Sequence, residues 1–342
     1  MTAAGGLAQA GENPAIVRPS RERTASWPLA DRIGYWLCWA TGIGLCLIAL
    51  AIVLFMFIKG ISYLRPSLFL KSPAPSLHQN QSGGFRDPIE GTLIVTAIGI
   101  LIAGPLGVAI AAWLSEYRRP SWLARSVESA VEMMAGVPSI VLAIFGLLIF
   151  SQGFLAFLSQ GTAQGALGES FLDAGVVMSI LALPLVVAST REALAQLPDR
   201  LREASYALGK TRATTIRRVL LPAIRPSIAS GVVLGMGRII GDTAIITILL
   251  GVTLKNEPAG STPVFSTLRG TGSTLTSYVY TNSPAGEGNA HQKAYAAAFV
   301  LLMIVLALNA LVTRLTGGSE LAGDRPRARL ISRLWRRPAW TR

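Results

Sequence analysis

The chain has 342 residues, 51% hydrophobic and 14% charged, with a mean hydropathy of +0.49 and a formal net charge of +13. Such apolarity excludes an ordinary soluble domain, and the length admits a polytopic membrane bundle but not a bundle with a separate enzyme domain. In a soluble protein the charge would suggest nucleic acid; in a membrane protein Lys and Arg gather on cytoplasmic loops, so no nucleic-acid partner is expected.

Residues 1–32 mix Gly, Ala, Pro and Arg and read as a disordered cytoplasmic tail. The apolar run that follows is too long for a secretory signal peptide. A helix needs about 20 apolar residues to cross a bilayer. Six segments meet or approach that length: Ile33–Ile58, Gly91–Leu114, Met133–Leu158, Ala174–Thr190, Ser227–Gly251 and Ala294–Leu315. Cys38 and Cys46 both lie in the first, two helical turns apart, where packing is the expected role. Pro138 and Pro184 fall inside the third and fourth, and neighbouring helices are expected to satisfy the carbonyls they free. The predicted fold is all-α: a membrane bundle of six transmembrane helices over residues 33–316, followed by a basic cytoplasmic tail at 317–342. That tail carries Trp335 and Trp340 and reads as an anchor at the lipid headgroups.

With a cytoplasmic N-terminus, the inner segments 1–32, 115–132, 191–226 and 314–342 hold 23 of the 31 basic residues, and the outer loops hold 7. This asymmetry places both termini inside. The last outer loop, 252–293, is long enough to be more than a turn. His78 and His291 lie far apart in outer loops, and no metal-binding cluster is expected.

The cytoplasmic segment 191–226 is too elaborate for a connector. Leu194, Leu197, Leu201, Ala204 and Leu208 recur at helical spacing and predict one apolar face, with a break near Leu197 imposed by Pro198. Gly209 is placed to end that helix in the left-handed conformation. A second short helix, about Thr211–Leu220, would end near Leu221-Pro222, with Ile216, Val219 and Leu220 on one side and Arg212, Arg217 and Arg218 accessible. Two short helices at an angle make a knob that fits a groove of a soluble partner. On residue types alone, an amphipathic helix lying on anionic lipid accounts for the segment equally well.

The fifth span contains Gly235-Met-Gly-Arg238-Ile-Ile-Gly241-Asp242-Thr243. Arg238 and Asp242 are four apart, so both are expected to project from one helical face. A charge in the membrane interior costs about 2.5 kcal/mol or more, which pairing or a wet cavity lowers. The pair reads either as a structural bridge between helices or as a polar element on a transport path, where Arg238 offers donors to an anion and Thr243 stands beside it.

The order Glu203-Ala204-Ser205, Gly209, Ile216, Leu221-Pro222 resembles the EAA loop of bacterial ABC-importer permeases, with Ser in place of the second Ala. The resemblance implies a type I ABC-importer permease fold and makes these seven residues the contact with an ATP-hydrolysing subunit. Gly-Arg-x-x-Gly-Asp-Thr further resembles the phosphate-importer permeases PstA and PstC, which usually carry Glu at the Asp242 position. Ala135-Gly-Val-Pro-Ser-Ile-Val141 and Gly83-Gly-Phe-Arg-Asp-Pro-Ile-Glu-Gly-Thr-Leu93 look more like PstA. The implied setting is the bacterial inner membrane. The implied partners are a PstC-like second permease, a PstB-like ATPase dimer and a PstS-like phosphate-binding protein outside. No Walker A sequence occurs, so this chain is expected to bind no cofactor, with ATP and Mg on the ATPase. It is expected to be a transport subunit and not an enzyme. Two other readings stay open: a permease for sulfate or molybdate, and an ion-coupled carrier or channel with no ATPase.

Overall fold

The computed structural model describes residues 29–61, 63–73, 83–117, 120–152, 155, 168–251, 256, 263–283 and 290–316. The tails at 1–28 and 317–342, His78, and the far end of the third predicted span lie outside them. Among the described residues the regular structure is all helical. In chain order the helices are α1 (Leu29–Ile61), α2 (Arg86–Glu116), α3 (Ser121–Gly136), α4 (Ser139–Phe150), α5 (Phe171–Gln196) and α6 (Asp199–Ala207). They continue as α7 (Arg212–Ala223), α8 (Arg225–Gly241), α9 (Thr243–Leu249), α10 (Pro263–Arg269), α11 (Leu275–Asn282) and α12 (His291–Leu315).

Four of these, α1, α2, α5 and α12, are long and apolar enough to cross a bilayer alone. Two further spans are possible as broken pairs: α3 with α4, bent by 107°, and α7 with α8, bent by 73°. Counting each bent pair as one span gives six, the number predicted, but those two differ in shape from the prediction. The third was read as one helix from Met133. It begins instead at Ser121 and breaks at Val137-Pro138, where both residues are extended (ψ 128° and 134°). Pro138 has no N–H to continue the ladder, and it excludes Val137 from the helical region. The prolines in the middle of α2 and α5, Pro105 and Pro184, interrupt neither helix.

The fifth predicted span, Ser227–Gly251, is also interrupted. α8 stops at Gly241, Asp242 is extended (φ −85°, ψ 115°), and α9 starts at Thr243. Asp242 is the cause. Its carboxylate Oδ1 accepts the backbone N–H of Ile245 at 3.1 Å, which caps the start of α9.

The core is built around α5. In its most apolar stretch 72% of residues are buried, against 33% in α2 and 17% in α12. α2 makes the most extensive contact with it, followed by α8, with α4 and α9 closing other sides. Small residues let the backbones approach. A Cβ on Gly107 would lie 2.9 Å from Cβ of Val186, and one on Gly231 would lie 2.9 Å from Cβ of Ser189. Ser189 Oγ also donates to the Ser227 carbonyl at 2.6 Å, tying α5 to α8. Such seams are how helices associate where lipid and side chains are equally apolar. Gly107→Ala should therefore cost about 1–3 kcal/mol by overpacking. Gly104→Ala, where a Cβ meets nothing within 4 Å, should be neutral or slightly stabilising. Thermal melting in detergent distinguishes the two variants, and equal melting points would refute the seam.

The chain divides into two compact units, 1–55 and 56–342. The described part of the first is the apolar helix of residues 29–55. In the second, the last turns of α1 pack on α12, with Phe57 and Phe299 rings 5.0 Å apart and Gly60 pressed on the Ala296 backbone. Phe85, fully buried, meets Tyr278 of α11 edge to face at 5.6 Å. The predicted last outer loop thus contains two helices, α10 and α11, and α11 is secured at its start by a capping box between Thr274 and Ser277.

Candidate functional site

The segment 197–224 is a knob of two short helices. Pro198 ends α5, leaving Leu197 extended, and opens α6. α6 then terminates in a complete Schellman motif. Lys210 N donates to the Ser205 carbonyl (3.2 Å), Gly209 N donates to the Tyr206 carbonyl (2.9 Å), and Gly209 sits at φ +70°. Thr211 caps α7 through its hydroxyl, which accepts from Thr214 N at 3.4 Å. α7 ends at Ala223, one residue beyond the predicted end near Leu221-Pro222. It widens into a π turn over Ile216–Leu220 and passes through Pro222 to Ala223. The wider turn makes room where the Pro222 ring would otherwise press on the Arg218 carbonyl.

The structure separates the seven residues predicted for this loop. Glu203, Ala204 and Gly209 are exposed. Ser205 and Ile216 are buried, and Leu221 and Pro222 are half-buried. Ile216, Leu220 and Ile224 pack on Ala193 and Leu194 of α5 and Ala112 of α2, so one side of the knob is an anchor. Ser205 accounts for its own departure from the expected Ala. Its hydroxyl bonds that of Thr215 at 2.8 Å, joining α6 to α7 across the glycine joint.

The apolar face expected from Leu194 to Leu208 breaks at Leu197, as Pro198 predicted, and the part beyond the break is exposed. The break at Leu197-Pro198 reorients everything beyond it. Leu194 is fully buried, whereas Leu201, Ala204 and Leu208 face outward, Leu208 at 79% exposure. With Tyr206 and the charges of Arg200 and Glu203 they form an exposed, mixed surface.

Two ion pairs at this end of the molecule escaped the sequence reading. Arg202 Nε donates to Oε1 of Glu116, the last residue of α2, at 3.0 Å, and both side chains are largely buried. Arg191 of α5 pairs with Glu128 of α3. In sequence each pair is separated by more than sixty residues, so no local spacing reveals it. For the first pair the sequence signal was Glu116, a lone acidic residue at the end of an apolar run.

The second candidate site is Arg238 with Asp242. They do not project from one face of a continuous helix, because the helix ends between them. Arg238 Nη2 lies 3.9 Å from Oδ2 of Asp242, a long contact, and the two environments are opposite. The Asp242 side chain is 4% exposed and committed to capping α9, whereas that of Arg238 is 49% exposed. The carboxylate belongs to the fold, and the guanidinium is available. Thr243 is half-buried at the first position of α9, and its carbonyl accepts the Thr247 hydroxyl at 2.6 Å.

At the opposite end, the start of α2 is locked to Asn256 and the start of α11. Asp87 accepts from Ser72 Oγ at 3.0 Å and from Asn256 N at 3.4 Å, Asn256 Nδ2 donates to the Asp87 carbonyl, and Thr92 Oγ1 accepts from Leu275 N at 2.9 Å. A Cβ on Gly91 would lie 2.1 Å from the Ser273 carbonyl oxygen, so only glycine fits there.

Residues 103–318 match the family model described as binding-protein-dependent transport system inner membrane component. The chain is 34% identical over 194 residues to the phosphate transport system permease protein PstC of Xylella fastidiosa (strain 9a5c), spanning 53% of this chain and 60% of that protein's length. It is 32% identical over 233 residues to the phosphate transport system permease protein PstA 1 of Mycobacterium tuberculosis (strain CDC 1551 / Oshkosh), spanning 68% of this chain and 70% of that one. Among solved structures, a chain of a bacterial alginate ABC transporter in complex with an alginate pentasaccharide-bound periplasmic protein superposes with a TM-score of 0.57. It has 17% identity, over 84% of this chain and 96% of that one, which is a likeness of fold.

Proposed function

The chain belongs to the family of binding-protein-dependent transport system inner membrane components, and on that premise we propose that it is one permease subunit of an ATP-driven inorganic phosphate importer. It is a multi-pass membrane protein of the ABC permease fold and a transport subunit. In the proposed complex it pairs with a second, PstC-like permease. A PstS-like binding protein delivers phosphate outside, and a PstB-like ATPase dimer carries ATP and Mg inside. Both termini and the knob lie in the cytoplasm, as the distribution of basic residues favours.

The observation that carries this reading is the knob. One side is anchored on α2 and α5 by Ile216, Leu220 and Ile224, and the other presents Leu201, Glu203, Ala204 and Leu208. A face that only rested on lipid would not need a Schellman turn, a capped second helix and a buried Ser205–Thr215 bond to set its angle. A helix-lined projection with mixed polarity suits a protein groove. Closure of the ATPase pair on ATP would move the knob, and α5, α2 and α8 would reorient with it. The anion path passes Arg238, whose side chain is too exposed to be a buried strut. A guanidinium at membrane depth must face water or a partner chain, and its planar fork suits a tetrahedral oxyanion.

Radiolabelled phosphate uptake in a strain lacking this chain tests the reading. Reintroducing the chain should restore uptake, and a hundredfold excess of sulfate should not compete. Competition by sulfate would make the cargo a different oxyanion. Restored uptake without any ATPase chain retained in mild detergent would sink the ABC reading in favour of an ion-coupled carrier.

A further inference from the structure

We propose that Arg202 and Glu116 form the strut that transmits movement of the cytoplasmic knob to α2, with Arg202 acting as a positioning residue and not as part of the docking contact. The proposal rests on the permease reading above.

The geometry begins with a missing donor. In an unbroken helix the N–H of residue 198 would bond the Leu194 carbonyl, but residue 198 is proline and has none. Arg202 supplies the replacement: its Nη2 donates to the Leu194 carbonyl at 3.0 Å, and its Nη1 reaches the Leu197 carbonyl at 3.3 Å and Asp199 Oδ1 at 3.1 Å. The same guanidinium sends its Nε to Oε1 of Glu116 at 3.0 Å. One planar side chain therefore joins three elements: α6, which carries it, the frayed end of α5, and the last residue of α2.

Burial distinguishes this pair from an incidental one. Exposure is 18% for the Arg202 side chain and 8% for that of Glu116, against 56% and 48% for the Arg86–Glu90 pair at the other end of α2. Exposed pairs trade partners with water at little cost, whereas a desolvated, multiply bonded pair holds one geometry. The knob also shares with α2 an apolar cluster that includes Leu220 and Ala112, and apolar packing is non-directional. A directional bond fixes both distance and angle, which is what a lever needs. Arg202 and Glu203 are neighbours on α6 with opposite surroundings: Glu203 is exposed, and Arg202 is held by α2 and α5. A push on one residue is thus delivered through the next.

The test uses the whole complex in lipid vesicles. Glu116→Ala removes the strut while leaving Arg202 on its carbonyls and the apolar patch intact. The ATPase chain should still co-purify. Phosphate moved per ATP hydrolysed should fall at least tenfold, and hydrogen exchange over residues 111–116 should no longer respond to ATP. Glu116→Asp should recover part of both, and Glu90→Ala should change neither. Glu116→Ala with a phosphate-to-ATP ratio within twofold of the parent and an intact exchange response would overturn the proposal. So would loss of the ATPase chain, since the pair would then merely hold the fold. If the parent moves no phosphate, the cargo reading fails by itself, and the strut is judged on the exchange response alone.

Discussion

Replacing Arg238 with alanine should abolish phosphate uptake, by about a hundredfold or more, while the subunit still folds and assembles. The second half of that expectation comes from the geometry. Asp242 is the buried member of the pair, but its Oδ1 is bonded to the Ile245 amide and not to Arg238. Losing a guanidinium 3.9 Å away leaves the cap in place and removes a charge that is half exposed. The first half comes from the cost of the charge. An arginine at membrane depth costs at least about 2.5 kcal/mol, and a structural role that only a long contact supports would not offset it. A hundredfold loss corresponds to about 2.7 kcal/mol of lost interaction with the anion, within reach of one charge-assisted pair in a desolvated path. Arg238→Lys should transport with a raised KM, because an ammonium keeps the charge but not the fork. Asp242→Asn should keep the cap, since an amide oxygen also accepts the Ile245 N–H. Uptake by the alanine variant at the parental rate would remove Arg238 from the anion path.

Gly209→Pro should separate ATP hydrolysis from transport. Gly209 has φ +70°, which the proline ring forbids, and its N–H bonds the Tyr206 carbonyl in the Schellman turn. Proline would break that turn and swing α7 away from α6. Uptake should fall tenfold or more while ATP hydrolysis by the assembled complex continues. Gly209→Ala isolates the backbone contribution, because a Cβ there meets nothing within 4 Å. The left-handed conformation costs a non-glycine residue about 1–2 kcal/mol, so alanine should impair transport only mildly and asparagine less still. The expected order of phosphate moved per ATP is glycine, asparagine, alanine, proline. Equal coupling in all four would mean that the joint angle does not matter, and the docking role would fail with it.

Much of this architecture was legible in the sequence because its signals are local. Apolar runs of membrane length located the spans. Pro198 and Gly209 marked a break and a stop in the knob, and both are realised through the backbone donors they lack or the φ they allow. The misreadings have a common origin. The runs Met133–Leu158 and Ser227–Gly251 are continuous in hydropathy, but a helix is continuous in hydrogen bonds. Pro138 removes a donor, and Asp242 offers a competing acceptor, so each helix ends inside an apolar run. At Pro198 the same rule was legible beforehand: the break expected near Leu197 is found there.

By itself the sequence determined the class of the molecule, its apolar helices of membrane length, the knob with its glycine joint, and the proximity of Arg238 to Asp242. Each follows from composition or from residues within a few positions of one another. Only the tertiary structure decided which side of the knob is anchored and which is offered, that Asp242 serves the fold while Arg238 is left available, and that Arg202 reaches Glu116 eighty-six residues away. Those outcomes depend on which helices lie side by side. Side-by-side packing is settled by the close approach of glycines such as Gly107 and Gly231 to α5, across distances that no pattern along the chain records.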